Sequence, residues 1–276
     1  MNHTLVIQHS DLSAIKLPHT ATRFGQALAG KCVRIPLGKN AILDDHIRAE
    51  LDAAPVDYAV LPERTFDSFG LLASDMDSTL ITIECIDEIA QFAGLKTQIA
   101  EITERAMQGG MDFAQSLHQR VALLEGVPES ALEHVYQNVL RLSAGAETLI
   151  QACQRHGVKT LLVSGGFTYF TDRLKQELGL DYAYANELEV KNGYLTGRVL
   201  GRVVDAEAKA QLLAQHREQL GLSPEQTLAV GDGANDIPMF RAATFGIAYR
   251  AKAAAQQAAD LRINHNGLDA VRGWFA

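Results

Sequence analysis

Leu71-Leu72-Ala73-Ser74-Asp75-Met76-Asp77-Ser78-Thr79-Leu80 is the stretch from which this chain is best read. The apolar run from Phe69 to Ala73 leads into it and has the length of a buried strand. Two carboxylates follow one residue apart, Asp75 and Asp77, then the hydroxyls of Ser78 and Thr79. On a strand, residues i and i+2 point the same way, so both aspartates are expected to face one site at the strand's C-terminal end. Two carboxylates on one face repel unless a cation or a shared proton joins them. Mg²⁺, a hard cation that takes oxygen ligands, meets that need. Asp75 then has the chemistry of a nucleophile that carries a phosphoryl group. Asp77 is placed to act as acid to the leaving group and as base to water. The plain alternative is a solvated turn, because Asp favours turns in any case.

Composition narrows the field. A chain of 276 residues, 47% apolar, has room for one large domain or two smaller ones around a substantial core. The net charge is −8 and Lys and Arg form no runs, which argues against a nucleic-acid binder that works by neutralising phosphates. Cys32, Cys85 and Cys153 are odd in number and form no CxxC pair, so neither a disulfide framework nor a zinc site is expected. No apolar stretch reaches the length of a membrane span. Met1-Asn2-His3-Thr4-Leu5 has no basic region followed by an apolar core. The expectation is a reduced, cytoplasmic protein with no membrane partner.

Residues 1–65 read as a small α+β unit. Strands at Leu5–Gln8, Cys32–Ile35 and Tyr58–Leu61 alternate with helices at Ala21–Leu28 and Ala41–Ala53. Its histidines, His3, His9, His19 and His46, are scattered and form no ligand set. After the aspartates the period turns helical. Ile83, Ile86, Ile89, Ala90 and Ala93 share a face, and Gly94 ends that helix. Further helices are expected over Leu95–Met107, Phe113–Leu124 and Ser130–Leu140, with Ser130 and Glu133 as a capping box. An all-helical stretch directly after the first core strand reads as an insertion over the C-terminal edge of a doubly wound parallel sheet, where ligands bind.

From Ala146 the α/β rhythm returns. A helix, Ala146–His156, leads to the strand Lys159–Ser164, which ends in Ser164-Gly165-Gly166. A hydroxyl and glycine N–H groups there can meet a phosphoryl oxygen, although Ser-Gly-Gly alone is usually only a turn. Asn192-Gly193 between two strand-like runs marks a hairpin. The helix Glu207–Gly221 carries Lys209 near its start. A helix lysine is usually solvent-facing. Between the hydroxyl loop and the next acidic loop, however, this one is placed to hold a phosphate and offset the aspartates. The strand Thr227–Gly231 then runs into Asp232-Gly233-Ala234-Asn235-Asp236, a loop suited to octahedral Mg²⁺. The domains expected are 1–65, a catalytic α/β core of 66–83 with 146–276, and a helical cap of 84–145.

Asp-x-Asp, Ser-Gly-Gly, a lysine and Gly-Asp-Gly-x-Asn-Asp stand in the motif order of the haloacid dehalogenase-like superfamily, which this chain resembles. Further matches look like the phosphoserine phosphatase family within it. They are Glu84 with Ile86-Asp87-Glu88, Met107, Phe113-Ala114-Gln115-Ser116-Leu117, Arg120-Val121-Ala122-Leu123-Leu124, Asp181 to Asn186 and Leu195-Thr196-Gly197. The likeness covers about residues 70 to 270 and leaves residues 1–65 aside. It implies a Rossmann-like core with an inserted helical cap, and Mg²⁺-dependent hydrolysis of phosphoserine through an aspartyl phosphate on Asp75. It implies that Asp75, the backbone carbonyl of Asp77, and Asp232 hold the metal. Ser164, Gly165 and Lys209 would grip the phosphoryl oxygens, and Asn235 would support the loop and nucleophile. Glu84 would meet the substrate ammonium and Arg120 its carboxylate, with Met107 and Phe113 covering the site. Another small-monoester phosphatase, a phosphotransferase and an amino-acid-sensing protein are the competing readings. A homodimer supported by residues 1–65 is the assembly left open.

Overall fold

Alternation along the first strand sets how the N-terminal part sits on the rest in the computed structural model, which describes residues 2–24, 30–39, 43–107 and 109–276. β1 (Asn2–Gln8), α1 (Pro18–Phe24), β2 (Cys32–Lys39), α2 (Asp45–Ala53) and β3 (Asp57–Pro62) come first. Their sheet has the order β2-β1-β3, with β1 antiparallel to both neighbours. Leu5 and Ile7 pack with Ile35, Ile47 and Leu51 in a core of their own, while Val6, on the other face, joins the main core. Asp57 adds a polar fastening. Its carboxylate accepts the N–H groups of Asn264 (2.7 Å), His265 (3.1 Å) and Asn266 (3.0 Å). α1 begins at Pro18, earlier than expected, because proline suits the first helical position. Residues 25–28 and 41–42 of the two expected helices lie outside the described residues.

The main sheet follows. It is built from β4 (Leu71–Ser74), then, after the helices α3 (Cys85–Phe92), α4 (Lys96–Met107), α5 (Phe113–Ala122), α6 (Ser130–His134) and α7 (Ala146–His156), from β5 (Lys159–Phe167). α8 (Thr168–Leu178), β6 (Tyr182–Lys191), β7 (Tyr194–Leu200) and α9 (Ala206–Gln219) come next. β8 (Thr227–Gly231), α10 (Ile237–Ala242), β9 (Phe245–Tyr249), α11 (Ala253–Ala258), β10 (Leu261–Ile263) and α12 (Ala270–Gly273) complete the chain. The strand order is β10-β9-β8-β4-β5-β6-β7, parallel throughout except for the β6–β7 hairpin. The chain leaves β4 towards β5 on one side and returns to β8 on the other. That reversal is where doubly wound sheets bind ligands.

β4 is apolar without alternation because both its faces are covered. Leu71 and Ala73 pack with Leu161, Val163 and Ala229, and Leu72 packs in the opposite layer with Leu162, Leu228 and Val230. Truncating a leucine so placed costs about 2–5 kcal/mol. The Asn192-Gly193 turn has φ of 53° and 79°, the two left-handed residues that a tight hairpin needs. No helix among the described residues is long and apolar enough to cross a membrane.

One helical expectation, the capping box of Ser130 and Glu133, needs correction. Ser130 does not cap α6; it stands inside the first turn, and Glu129 precedes it without a side-chain cap bond. Glu133 is drawn elsewhere, accepting from Tyr169 Oη at 2.5 Å with Arg173 beside it at 3.9 Å. Tertiary partners in α8 outcompete the local cap. The capping box of this region is Asp112 with Gln115, at the start of α5.

Candidate active site

Three adjacent strands, β8, β4 and β5, end side by side and deliver the acidic and hydroxyl loops to one place. β4 stops at Ser74, sooner than the spacing argument requires. Asp75 N–H still donates to Val230 O at 2.9 Å, and then the chain turns, with Ser78 at φ 55°. The two aspartates therefore share a site through this turn rather than through strand alternation. Asp75 Oδ1 accepts the N–H of Met76 at 2.7 Å. Asp77 Oδ1 accepts the N–H of Cys85, first residue of α3, at 3.1 Å. A helix N-terminus favours a carboxylate there.

Lys209 is not solvent-facing. It is 1% exposed, and its Nζ lies 2.8 Å from Asp75 Oδ1 and 2.8 Å from Asp236 Oδ1. Asp236 also organises the acidic loop. Its Oδ2 accepts the N–H groups of Asp232 (3.1 Å) and Gly233 (3.0 Å). Asp236 thus supports the loop, and Asn235, from which the resemblance implies such support, lines the cavity next to it. Both stand in the same short motif, and only the hydrogen bonds of the folded loop distinguish them. A Cβ on Gly231 would fall 2.3 Å from Asp236 Cγ, so glycine there lets Asp236 fold back under the loop.

The charges do not balance within this cluster. Carboxylate oxygens of Asp75, Asp232 and Asp236 lie within 4.8 Å of one another, and Lys209 is the buried cation among them. Burial, and then Asp236, push Asp75 well above the usual carboxylate range. Burial and then Glu84 push Asp77 up to about 7. Burial and then Asp236 push Asp232 up to about 6. Burial works against the Lys209 charge, but Asp75 and Asp236 outweigh it and raise its pKa. Crowded oxygen donors that resist ionisation are a donor set suited to a hard divalent cation.

A cavity of about 380 Å³ opens beside this cluster. Asp75, Asp77, Ser164, Gly165, Asp232 and Asn235 line it from the sheet side, and Glu84, Phe113 and Arg120 from the helical insertion. Glu84 Oε1 accepts from Ser78 Oγ at 2.8 Å, and Arg120 Nε donates to Ser116 O at 3.3 Å. Burial draws the Arg120 guanidinium down, opposed by the carboxylates of Asp87, Glu84 and Asp77. Phe113 rests on the hydroxyl loop, for a Cβ on Gly165 would meet its Cζ at 2.8 Å. That loop lies within the assigned length of β5, in a break of its register with β6, and not after the strand as expected. Met107 ends α4, and its side chain lies outside the described residues.

Two further residues belong to the site. Asp236 stands in the acidic motif, where spacing alone does not separate its role from that of its neighbours. Lys252 also lines the cavity, its Nζ 3.8 Å from Asp232 Oδ2 and its N–H donating to Asp232 O at 2.8 Å. No spacing within its Ala-rich surroundings marks it.

Comparison with known proteins gives a consistent picture. Residues 72–241 match the haloacid dehalogenase-like hydrolase family. A phosphoserine phosphatase of Polaromonas sp. is 51% identical over 213 residues, covering 75% of this chain and 90% of that protein. The structure of a probable phosphoserine phosphatase from Vibrio cholerae, in unliganded form, superposes with a TM-score of 0.84 at 38% identity, over 98% of this chain and 85% of that one. A phospho-aspartyl intermediate analogue of phosphoserine phosphatase superposes with a TM-score of 0.71 at 40% identity, over 75% and 99% of the two chains.

Proposed function

The chain belongs to the haloacid dehalogenase-like hydrolase family, and from that membership we propose that it hydrolyses O-phospho-L-serine to L-serine and phosphate, the last step of serine biosynthesis. The protein is a phosphoric monoester hydrolase. The observation that carries the substrate reading is a single cavity lined by Asp75, itself held by Lys209, and also by Glu84 and Arg120. A nucleophile with its cation serves the phosphate, and one charge of each sign serves a zwitterion.

The steps follow from these residues. Asp75 attacks phosphorus as the bond to the serine oxygen breaks. Asp77 gives that oxygen its proton, and serine leaves. Water then attacks the aspartyl phosphate, Asp77 takes the water's proton, and Asp75 is released with free phosphate. Ser164 Oγ, the Gly165 N–H and Lys209 hold the phosphoryl oxygens in line, and positioning and charge supply most of the rate in such transfers. Asp75, the backbone carbonyl of Asp77 and Asp232 would hold Mg²⁺, with Asp236 beside them, and the ion would neutralise charge on the transferring group. Glu84 takes the substrate ammonium and Arg120 its carboxylate. Phe113, on Gly165, helps to keep water out, and Met107 is assigned the same duty from the sequence.

Residues 84–145 act as the cap in this reading, and residues 1–65 as a separate unit. Three unpaired cysteines support a reduced, cytoplasmic setting. A homodimer is the assembly to test; the outer edge of β2, the end strand of its sheet, supports it as a template for pairing.

The test is phosphate release from phosphoserine with Mg²⁺, with EDTA and with Asp75→Asn. Turnover that needs both the metal and Asp75 upholds the reading. Turnover of p-nitrophenyl phosphate without phosphoserine would keep the chemistry and discard the substrate. Near-normal turnover by Asp75→Asn would remove the mechanism.

A further inference from the structure

β5 and β6 pair across a break. Val163 stands opposite Tyr184 and Phe167 opposite Asn186, so β5 advances two residues further than β6 between these pairs. The extra length falls in Ser164-Gly165-Gly166. A bulge leaves backbone groups without ladder partners. Here the Gly165 carbonyl finds one in a side chain, for Asn186 Nδ2 donates to it at 2.8 Å. The other half of that amide is also engaged: Asn186 Oδ1 accepts the N–H of Val204 at 2.8 Å. Asn186 is 1% exposed, so water does not replace either bond.

Each bond leads to a group that would hold phosphate. The Gly165 carbonyl and the Gly166 N–H belong to one rigid peptide plane. Asn186 pins the carbonyl end, and the N–H end donates to Ser164 Oγ at 2.8 Å. The amide therefore sets where the Ser164 hydroxyl points. On the other side, Val204 precedes Asp205, the N-cap of α9, whose side chain accepts from Ala208 N–H at 2.8 Å and whose carbonyl accepts from Lys209 N–H at 3.0 Å. We infer that Asn186 is a positioning residue that fixes the Ser164–Gly165 loop against the helix bearing Lys209, so that both grip one phosphoryl group. This deepens the phosphatase reading and rests on it.

Two variants test the inference. Asn186→Ala removes both bonds and leaves two buried backbone groups unpaired, so it is the variant at risk of not folding. Asn186→Asp is isosteric and, assayed at about pH 9, at the top of the range to which burial raises a carboxyl, is ionised; it then keeps the acceptor for Val204 but turns an acceptor towards the Gly165 carbonyl. The folded aspartate variant is expected to lose about a hundredfold in kcat, the scale of a small misplacement at a reacting centre. Competitive inhibition by orthophosphate should weaken about tenfold or more, while direct titrations of Mg²⁺ and L-serine stay as in wild type. In a Ser164→Ala background the same substitution should cost about threefold or less, because the bond acts through Ser164. Unchanged orthophosphate inhibition, or a full multiplicative loss in that background, would overturn the inference. Both readings are repeated with p-nitrophenyl phosphate, so a wild type inactive on phosphoserine counts against the substrate alone.

Discussion

Lys209 Nζ lies 2.8 Å from Asp75 Oδ1, and both side chains are buried. Asp236 holds the same ammonium from the other side at 2.8 Å. The cation therefore fixes the proposed nucleophile and offsets the acidic cluster together. Lys209→Met keeps the apolar stem and removes the charge, leaving two buried carboxylates without their partner. The stability loss is expected at about 3–5 kcal/mol, the scale of breaking a buried ion pair. Turnover should fall about a thousandfold or more, the scale of losing a charge-stabilising cation in phosphoryl transfer. Thermal unfolding and phosphate release measure the two effects. A variant of wild-type stability would show that Asp75 and Asp236 do not need this cation.

The same crowding gives a pH dependence with a definite sign. Asp77 and Asp232 are pushed up to about 7 and about 6, and Asp75 is raised as well. A carboxyl raised by folding binds its proton more tightly in the native state. Its contribution to stability is complete below the unfolded value near 3.9 and is lost as pH rises through the folded value. In EDTA the melting temperature is therefore expected to fall as pH rises from about 5 to about 8, across these pKa values. Mg²⁺ should flatten that fall, because a cation among the carboxylates favours their ionised form. Asp232→Asn should make the slope in EDTA shallower. A melting temperature that rises with pH over this range in EDTA would contradict the assignment.

Phe113 and Gly165 form a contact that couples the helical insertion to the hydroxyl loop. Gly165→Ala brings a methyl to 2.8 Å from Phe113 Cζ, closer than a Cβ contact allows. The backbone of Gly165 is not left-handed, so the strain is one of space alone. The ring must move outward and open the site to water. A loss of about ten- to a hundredfold in kcat/KM is expected. Phe113→Leu in the same molecule should recover part of it, since the shorter side chain makes room. The coupling in this double-mutant cycle should fall at about 0.5–3 kcal/mol, the range for residues in contact. Strict additivity would mean that the ring and the loop do not touch in solution.

What the sequence disclosed was local. A buried run ending in Asp75-x-Asp77, and another ending in Gly231-Asp232-Gly233, are short patterns with short-range causes, and both stand where expected at the ends of central strands. What it hid depends on partners distant in the chain. Glu133 reads as half of a cap, yet Tyr169 and Arg173 claim it from α8. Asn235 and Asp236 are adjacent, and only the folded loop assigns the N–H groups of Asp232 and Gly233 to the second. Asn186 looks like an ordinary polar strand residue until the register break in β5 gives the Gly165 carbonyl no ladder partner.

Asp77 offers the sharpest separation of the two chemical steps. Serine leaves as an alkoxide unless it receives a proton, so the first step with phosphoserine needs the acid. p-Nitrophenolate is stable as an anion and leaves without one. Asp77→Asn, which keeps the size of the side chain and an acceptor for the Cys85 N–H, should lose about 10²–10⁴-fold in turnover of phosphoserine, the usual weight of a positioned acid or base. With p-nitrophenyl phosphate the same variant should release a burst of nitrophenolate close to the enzyme concentration and then stall. Asp75 is phosphorylated in that burst, and no base remains to activate the water of the second step. Rapid-quench measurement of nitrophenolate, with mass spectrometry of the intact chain, reads both events. Steady turnover without a burst would assign the base to another residue. Absence of the phosphorylated chain would remove Asp77 from the second step alone, because the first would then be limiting for both substrates.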